Sequence, residues 1–338
     1  MRGMVLGKFM PPHRGHIHLI REAMRQCDDL TIVVGTLRDE PIPGSLRCAW
    51  MRALFPEARV VHLTDENPQH PHEHPRFWEI WRASLLRVLP HPIEVVFSSE
   101  TYGDRLALEL GAARHVCVDL DRSTVPVSAT RVRRDPDGAW DLIAWPARPW
   151  HVRRVCVYGP ESTGKTTLTR QLAEHYDTIW VPEYARPYLD RANAERVLPT
   201  PESFVIAEDI PEIAKGHART EDAAATLARR VVFIDTDLVT TTLYSDFYFG
   251  ACPEAVRREA DRRTYDLTLL LDVDVPWVAD PLRDQPDDRG GWMARFRGAL
   301  EARQRPYTLV RGGWKERFET ACTAVDALLS EDTERACR

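Results

Sequence analysis

The eight residues Gly159-Pro160-Glu161-Ser162-Thr163-Gly164-Lys165-Thr166 read G-x-x-x-x-G-K-T, and no other stretch constrains the fold of this chain so strongly. Such a loop wraps an anion in backbone N–H groups. It needs a strand before it and a helix after it, so that the helix dipole also faces the negative charge. Both are present: Arg154–Tyr158 reads as a buried strand and residues 165–175 as a helix. Lys165 is expected to reach β- and γ-phosphates and Thr166 to hold Mg²⁺, with Gly159, Glu161, Ser162, Thr163, Gly164 and Thr167 completing an ATP cradle. Val231-Val232-Phe233-Ile234-Asp235 is an apolar strand ending in a carboxylate. Asp235 is therefore expected as the second Mg²⁺ ligand, although a plain buried strand with a solvated end has the same pattern.

A phosphate loop alone does not distinguish kinases from ATPases or GTPases. Phosphorylating a hydroxyl needs a group to take its proton. Glu183, in Val181-Pro182-Glu183-Tyr184-Ala185-Arg186, stands where small kinases place an acceptor-binding carboxylate; Asp237 is the alternative. Tyr184 and Arg186 are expected beside the acceptor. Trp277, Asp280, Arg283 and Arg289 fall in a polar, Gly-rich stretch suited to a lid.

The chain has 338 residues, more than one core usually supports, and it is 43% hydrophobic and 28% charged. Two domains are expected, 1–147 and 151–330, divided at the aperiodic, proline-bearing segment 144–150. In the first, Met4–Leu6, Leu30–Val34, Val60–Leu63 and Ile93–Phe97 read as strands, with helices at 17–24, 46–54 and 78–89 between them. In the second, Leu267–Asp272 adds a further strand. Both halves are thus α/β, each a doubly wound, mainly parallel sheet. The net charge of −6 argues against a nucleic-acid footprint. Seven cysteines without a C-x-x-C pair, and no signal peptide or long apolar run, point to a reduced cytoplasmic protein without membrane insertion.

A second anion site is expected near the N-terminus. Gly7-Lys8-Phe9-Met10-Pro11-Pro12-His13-Arg14-Gly15-His16 follows the first strand and opens the first helix. His13 and His16, three apart, can donate to a triphosphate and stabilise charge developing on its α-phosphate. Downstream, Ser128-Ala129-Thr130-Arg131-Val132-Arg133 places two hydroxyls and two arginines before another helix, with Ser128 a plausible N-cap. Trp78 and Trp81 are spaced to share a helix side and could stack on a flat, cationic ring. Ser99 and Glu100 follow a buried strand, at the end where α/β proteins bind ligands. His70, His72 and His74 sit among prolines and polar residues and read as a loop more than a metal site.

Taken together, H-x-G-H, S-x-T-x-x-R and the phosphate loop, with Glu183-Tyr184…Arg186 and Asp235-Thr236-Asp237, resemble the NadR family of bifunctional nicotinamide-mononucleotide adenylyltransferases and ribosylnicotinamide kinases. The resemblance runs from Gly7 to about residue 310. It implies two uses of ATP, phosphorylation of nicotinamide riboside and adenylyl transfer to nicotinamide mononucleotide (NMN) to give NAD. It assigns Gly7, Lys8, Phe9, His13, His16, Ser128, Thr130, Arg131 and Arg133 to ATP, with His13, His16 and Arg133 catalytic. Trp78, Trp81, Ser99 and Glu100 fall to NMN. Lys165, Glu183 and Asp235 are catalytic in the second half, and Glu183, Tyr184, Arg186, Asp237, Trp277, Asp280, Arg283 and Arg289 contact nicotinamide riboside or form the lid. Some members carry an N-terminal DNA-binding helix-turn-helix; with the first strand at Met4, no such segment is expected here. A fusion serving coenzyme A or flavin, and a sensor of NAD or ATP with little turnover, are the competing readings. A homo-oligomer is left open.

Overall fold

Alternation within strands organises both halves. In the computed structural model, which describes residues 1–195, 204–279 and 287–336 (backbone alone for 331–336), the chain forms two compact units, Met1–Trp150 and His151–Arg338. The first contains β1 (Arg2–Gly7), α1 (Arg14–Gln26), β2 (Asp29–Gly35), α2 (Gly44–Leu54), β3 (Arg59–Leu63), α3 (Phe77–Val88), β4 (Val95–Ser98), α4 (Gly103–Leu110), β5 (Arg114–Cys117) and α5 (Ala129–Arg134). The strands are parallel, in the order β3-β2-β1-β4-β5. Val5, Ile32, Val34, Val95 and Phe97 face one side, where α1 and α2 bring Leu19, Ile20, Ala23, Cys48 and Met51. Met4, Val33 and Val96 face the other, under Leu85 of α3 and Leu106 of α4. With both faces covered, the central strands β1, β2 and β4 are largely apolar, as parallel sheets require, while the edge strands β3 and β5 carry Arg59, His62, Arg114 and His115.

The second unit repeats the principle with β6 (Arg153–Tyr158), α6 (Lys165–His175), β7 (Trp180–Val181), α7 (Ala185–Glu195), α8 (Asp209–Leu227), β8 (Val231–Asp235), α9 (Leu238–Phe249), α10 (Glu254–Arg262), β9 (Leu267–Leu271), α11 (Arg289–Ala302), β10 (Thr308–Val310) and α12 (Trp314–Ala336). The order is β10-β9-β6-β8-β7, again parallel. Val155, Val157, Phe233, Leu269 and Leu271 pack under α6 and α12. Cys156, Tyr158 and Leu270 pack under α8 to α11, with Trp292 and Phe296 filling the space.

The doubly wound reading therefore holds for both units. Small differences lie at element ends. The strand expected from Ile93 begins at Val95, because Ile93 follows Pro92 and is buried without pairing. The aperiodic segment at 145–151 is not loose: it winds into 3₁₀ turns that bury Pro146 and Ala147. The six described cysteines are free thiols. Among the described residues, no helix is long and apolar enough to cross a membrane and no group of three or more His, Cys, Asp or Glu is arranged to hold a metal.

Candidate active sites

In the first unit, β1 ends at Gly7 and the chain turns into α1 through His13, the N-cap. The two histidines cap the helix reciprocally: His16 N–H donates to His13 Nδ1 (3.4 Å) and His13 N–H donates to His16 Nδ1 (3.3 Å). With both Nδ1 atoms accepting, each neutral ring carries its proton on Nε2. The rings stack at 3.7 Å, and Phe9, buried in the core, meets His16 edge-on at 4.9 Å. Burial, with nearby Arg122, lowers His13 to about 4; burial, His13 and Arg122 hold His16 well below the usual range. Both are therefore neutral donors at neutral pH. Gly15 packs closely on the same pair: a Cβ there would sit 3.1 Å from the His13 ring, so the ring would have to shift to admit one.

These depressed values make an expectation for stability. The unfolded chain protonates His13 near 6.5, whereas the folded chain does so only near 4. Between those values the unfolded state binds more protons, so stability is full above pH 6.5 and declines as pH falls toward 4, by roughly 3 kcal/mol for this one group. His13→Asn keeps an N-cap acceptor and should reduce that decline. Hydrogen exchange of the β1 and β2 amides at pH 7 and pH 5 reads it; an unchanged pH dependence in the variant would refute the assignment.

His13 and His16 line a cavity of about 400 Å³ with Gly7, Lys8, Phe9, Ser99, Glu100, Asp119, Arg122, Ser128 and Thr130. Ser128 caps α5, accepting from Arg131 N–H at 3.1 Å. A second cavity, about 330 Å³, is lined by Trp78, Trp81, Thr36, His70 and Leu106. Trp81 is fixed by donation from Nε1 to Pro68 O (2.8 Å), and Arg105 lies 5.8 Å from the Trp78 ring. Leu6, Gly7, Lys8 and Tyr102 line both cavities, so the aromatic pocket opens onto the anion site at the carboxyl end of β1. Beneath Lys8, the fully buried Arg47 donates to Lys8 O (2.8 Å) and pairs with Glu40, which also takes Lys8 Nζ at 2.9 Å.

The structure sorts the sequence candidates differently in three places. Ser99 and Glu100, expected with the tryptophans, line the histidine cavity instead, where Glu100 pairs with Arg122 at 3.1 Å. Arg131 and Arg133, expected on ATP, are not among the lining residues. Arg131 donates to Pro126 O (2.9 Å), and Arg133 to Met10 O (2.6 Å), bracing the loop before His13. The arginine that does line the cavity, alongside Lys8, is Arg122, which sequence reasoning missed. Its only local signal is its place in a polar turn after β5, held by Asp119 accepting from Thr124 and Val125 N–H.

In the second unit, Thr166 Oγ donates to Asp235 Oδ2 at 2.5 Å, joining the loop to the end of β8. Asp235 is fully buried; burial, opposed by the Lys165 ammonium and assisted by Glu183, pushes its carboxyl up to about 6. A buried carboxylate destabilised in its charged form, beside a hydroxyl oxygen, is a hard-oxygen donor pair that fits Mg²⁺. Lys165 Nζ donates to Pro160 O at 2.9 Å.

A cavity of about 210 Å³ opens from the loop. Lined by Glu161 and Ser162 through Thr167, it brings in Glu183, Tyr184, Arg186 and Asp237, together with Phe204, His217, Tyr244 and Tyr248, which the sequence did not flag. Asp237 is largely committed: it caps α9, accepting from Thr240 N–H (3.0 Å), and lies 3.6 Å from Arg305. His217 is buried, lowered to about 4 chiefly by burial, and its Nε2 has no protein partner. Trp277, expected at the acceptor, does not line this cavity; it lies 5.9 Å from the Arg289 guanidinium, and Arg289 donates to Val275 O (2.7 Å) and Ser162 O (3.4 Å). Asp280 and Arg283 lie outside the described residues.

Residues 154–317 match the AAA-domain family model. The trifunctional NAD biosynthesis/regulator protein NadR of Escherichia coli K12 is 31% identical over 298 residues, covering 83% of this chain and 71% of that protein. The chain belongs to the NadR family. A crystal structure of NadR protein in complex with NR superposes with a TM-score of 0.75 at 21% identity, covering 97% of this chain and 96% of that one, and so shares the fold. The nicotinamide-nucleotide adenylyltransferase of Pyrobaculum neutrophilum is 28% identical over 120 residues, 32% of this chain and 63% of that enzyme. As a NadR-family member, the chain is an enzyme of NAD biosynthesis that combines nucleotidyltransferase and kinase types.

Proposed function

We propose that residues 151–330 phosphorylate nicotinamide riboside with ATP to give NMN and ADP. Residues 1–147 then transfer the adenylyl group of a second ATP to NMN, giving NAD and pyrophosphate. The observation that carries this reading is that each unit joins an anion cradle to its own cavity containing aromatic rings. The relative named a nicotinamide-nucleotide adenylyltransferase supports the second half-reaction, and the NadR structure in complex with NR supports a riboside ligand for the first.

In adenylyl transfer, an NMN phosphate oxygen attacks the α-phosphorus of ATP, and the bond to the pyrophosphate oxygen breaks. The attacking phosphate is largely a dianion at neutral pH, so no base is needed. The Nε2–H groups of His13 and His16, with Lys8 and Arg122, meet the developing charge. Trp78 and Trp81 hold the pyridinium in the adjoining pocket.

In the kinase, the 5′-hydroxyl oxygen attacks the γ-phosphorus, its proton passes to Glu183, and ADP leaves. Lys165 stabilises the transferring phosphoryl group; Arg186 lines the same cavity. Thr166 and Asp235 would hold Mg²⁺, which when bound neutralises phosphate charge. Glu183 is preferred to Asp237 as the base because the Asp237 carboxylate already caps α9.

That preference predicts a split. Glu183→Gln should lower single-turnover phosphorylation of nicotinamide riboside by ~10²-fold or more. Asp237→Asn should cost far less, since Asn caps a helix as well as Asp. The reverse order would move the base to Asp237, and little loss in either variant would remove a carboxylate base from the mechanism.

A further inference from the structure

The acceptor cavity occupies one edge of the second sheet. Glu183 follows β7, Asp237 follows β8, and α8 and α9 supply Ile210, Ile213, His217, Tyr244 and Tyr248. The phosphate loop follows β6, in the middle of the order β10-β9-β6-β8-β7. For in-line transfer the acceptor approaches the γ-phosphate from the β7–β8 side. The nucleoside of the donor must then leave the loop on the other side, over the carboxyl ends of β9 and β10.

One side chain waits there. The turn after β10 opens α12 with Trp314, which is 56% exposed despite being the largest apolar residue type. Its six-membered ring lies so close to the loop that a Cβ on Gly164 would come within 2.5 Å of it, and Gly164 holds φ +85. The ring is braced from below. Arg317, 2% exposed, lies 6.0 Å from its centroid. Arg317 in turn donates to Thr163 O, Gly312 O and Asp272 O, each at 2.9 Å, and pairs with Asp274. Trp145 is equally exposed; what sets Trp314 apart is its place against Gly164 and beside a buried arginine that is itself bonded to the loop at Thr163 O.

We propose that the indole of Trp314 is the platform on which the purine of the donor nucleoside triphosphate stacks. The inference rests on reading Gly159–Thr166 as the donor's phosphate site. It assigns Trp314 to the donor and leaves Tyr244 and Tyr248 to the acceptor.

The full chain tests it in two ways. Base–aromatic stacking of this kind should raise the KM for ATP about 10-fold in Trp314→Ala and by no more than roughly threefold in Trp314→Phe, measured with nicotinamide riboside as acceptor. Tripolyphosphate, which has no base, should inhibit the wild type and Trp314→Ala equally. A parallel weakening of tripolyphosphate would show that Trp314 only shapes the loop, and an unchanged KM for ATP would show that it does nothing there; either overturns the platform. Photolabelling with 8-azido-ATP, mapped by mass spectrometry, is independent of the acceptor. The label in the second unit should fall on the segment 311–317. Label confined to α7–α9 would place the base on the acceptor side and overturn the proposal. Label in this unit that tripolyphosphate does not displace would refute the phosphate-loop reading itself, and the platform would fall with it.

Discussion

Lys165→Ala is expected to abolish conversion of nicotinamide riboside to NMN while leaving conversion of NMN to NAD intact. Only two permanently cationic side chains, Lys165 and Arg186, are among the described residues lining the kinase cavity. Lys165 sits at the first position of α6, where its ammonium adds to the dipole and to the free N–H groups of the loop. In the structure that ammonium donates to Pro160 O, so it is held within the loop. Its removal takes away charge stabilisation that is greatest in the transition state, so kcat should fall by ~10²–10³-fold, by analogy with loss of one preorganised oxyanion donor. The fold should survive, because the side chain makes no core contact and α6 is anchored by Leu168 and Leu172. Assaying both half-reactions on the same preparation decides the matter. A variant that loses both together would contradict two separate sites, and one that keeps phosphorylation would contradict the role of the loop.

His16→Ala is expected to do the reverse: adenylyl transfer to NMN falls by ~10²–10³-fold and phosphorylation is unchanged. The imidazole has two jobs that can be separated. Its Nδ1 accepts the His13 N–H and so completes the cap of α1; its Nε2–H is the group that can meet charge on the α-phosphate. Loss of the cap alone costs ~0.5–2 kcal/mol of stability and leaves chemistry alone. His16→Gln separates the two, because glutamine at the third helical position can accept the same N–H. If His16→Gln regains stability but not rate, the transition-state role stands. If it regains rate, His16 is only a cap.

Much of this was legible locally. A phosphate loop is a short run of backbone geometry, and its neighbours in sequence are its neighbours in space; Lys165, Thr166 and the start of α6 follow from the motif alone. The same holds for His13 and His16, three apart at a helix start, and for Trp78 and Trp81 on one helix. Even the pairing of Thr166 with Asp235 was readable, because a buried strand ending in a carboxylate has few places to put it. The doubly wound fold was legible too, since a strand covered on both faces cannot afford polar alternation, and those apolar runs stand out.

What the sequence by itself made legible is therefore the phosphate loop, the paired histidines and the paired tryptophans, each contained in a short local run. What only the tertiary structure decided is which side chains from distant segments share a cavity. Arg122 reaches the histidines because β5 pairs with β4; Arg133 does not, because its guanidinium is spent on the Met10 carbonyl. Ser99 and Glu100 fall beside the histidines and not beside the tryptophans, and Trp277 lies against Arg289 and outside the cavity of the second unit. His217, Tyr244 and Tyr248 enter the kinase cavity because α8 and α9 cover one face of the second sheet, and Trp314 meets Gly164 because β10 lies at the far edge of it. None of these encounters has a signature in spacing. They depend on strand order and on the competition of each polar group for partners, and both are settled only when the whole sheet is assembled.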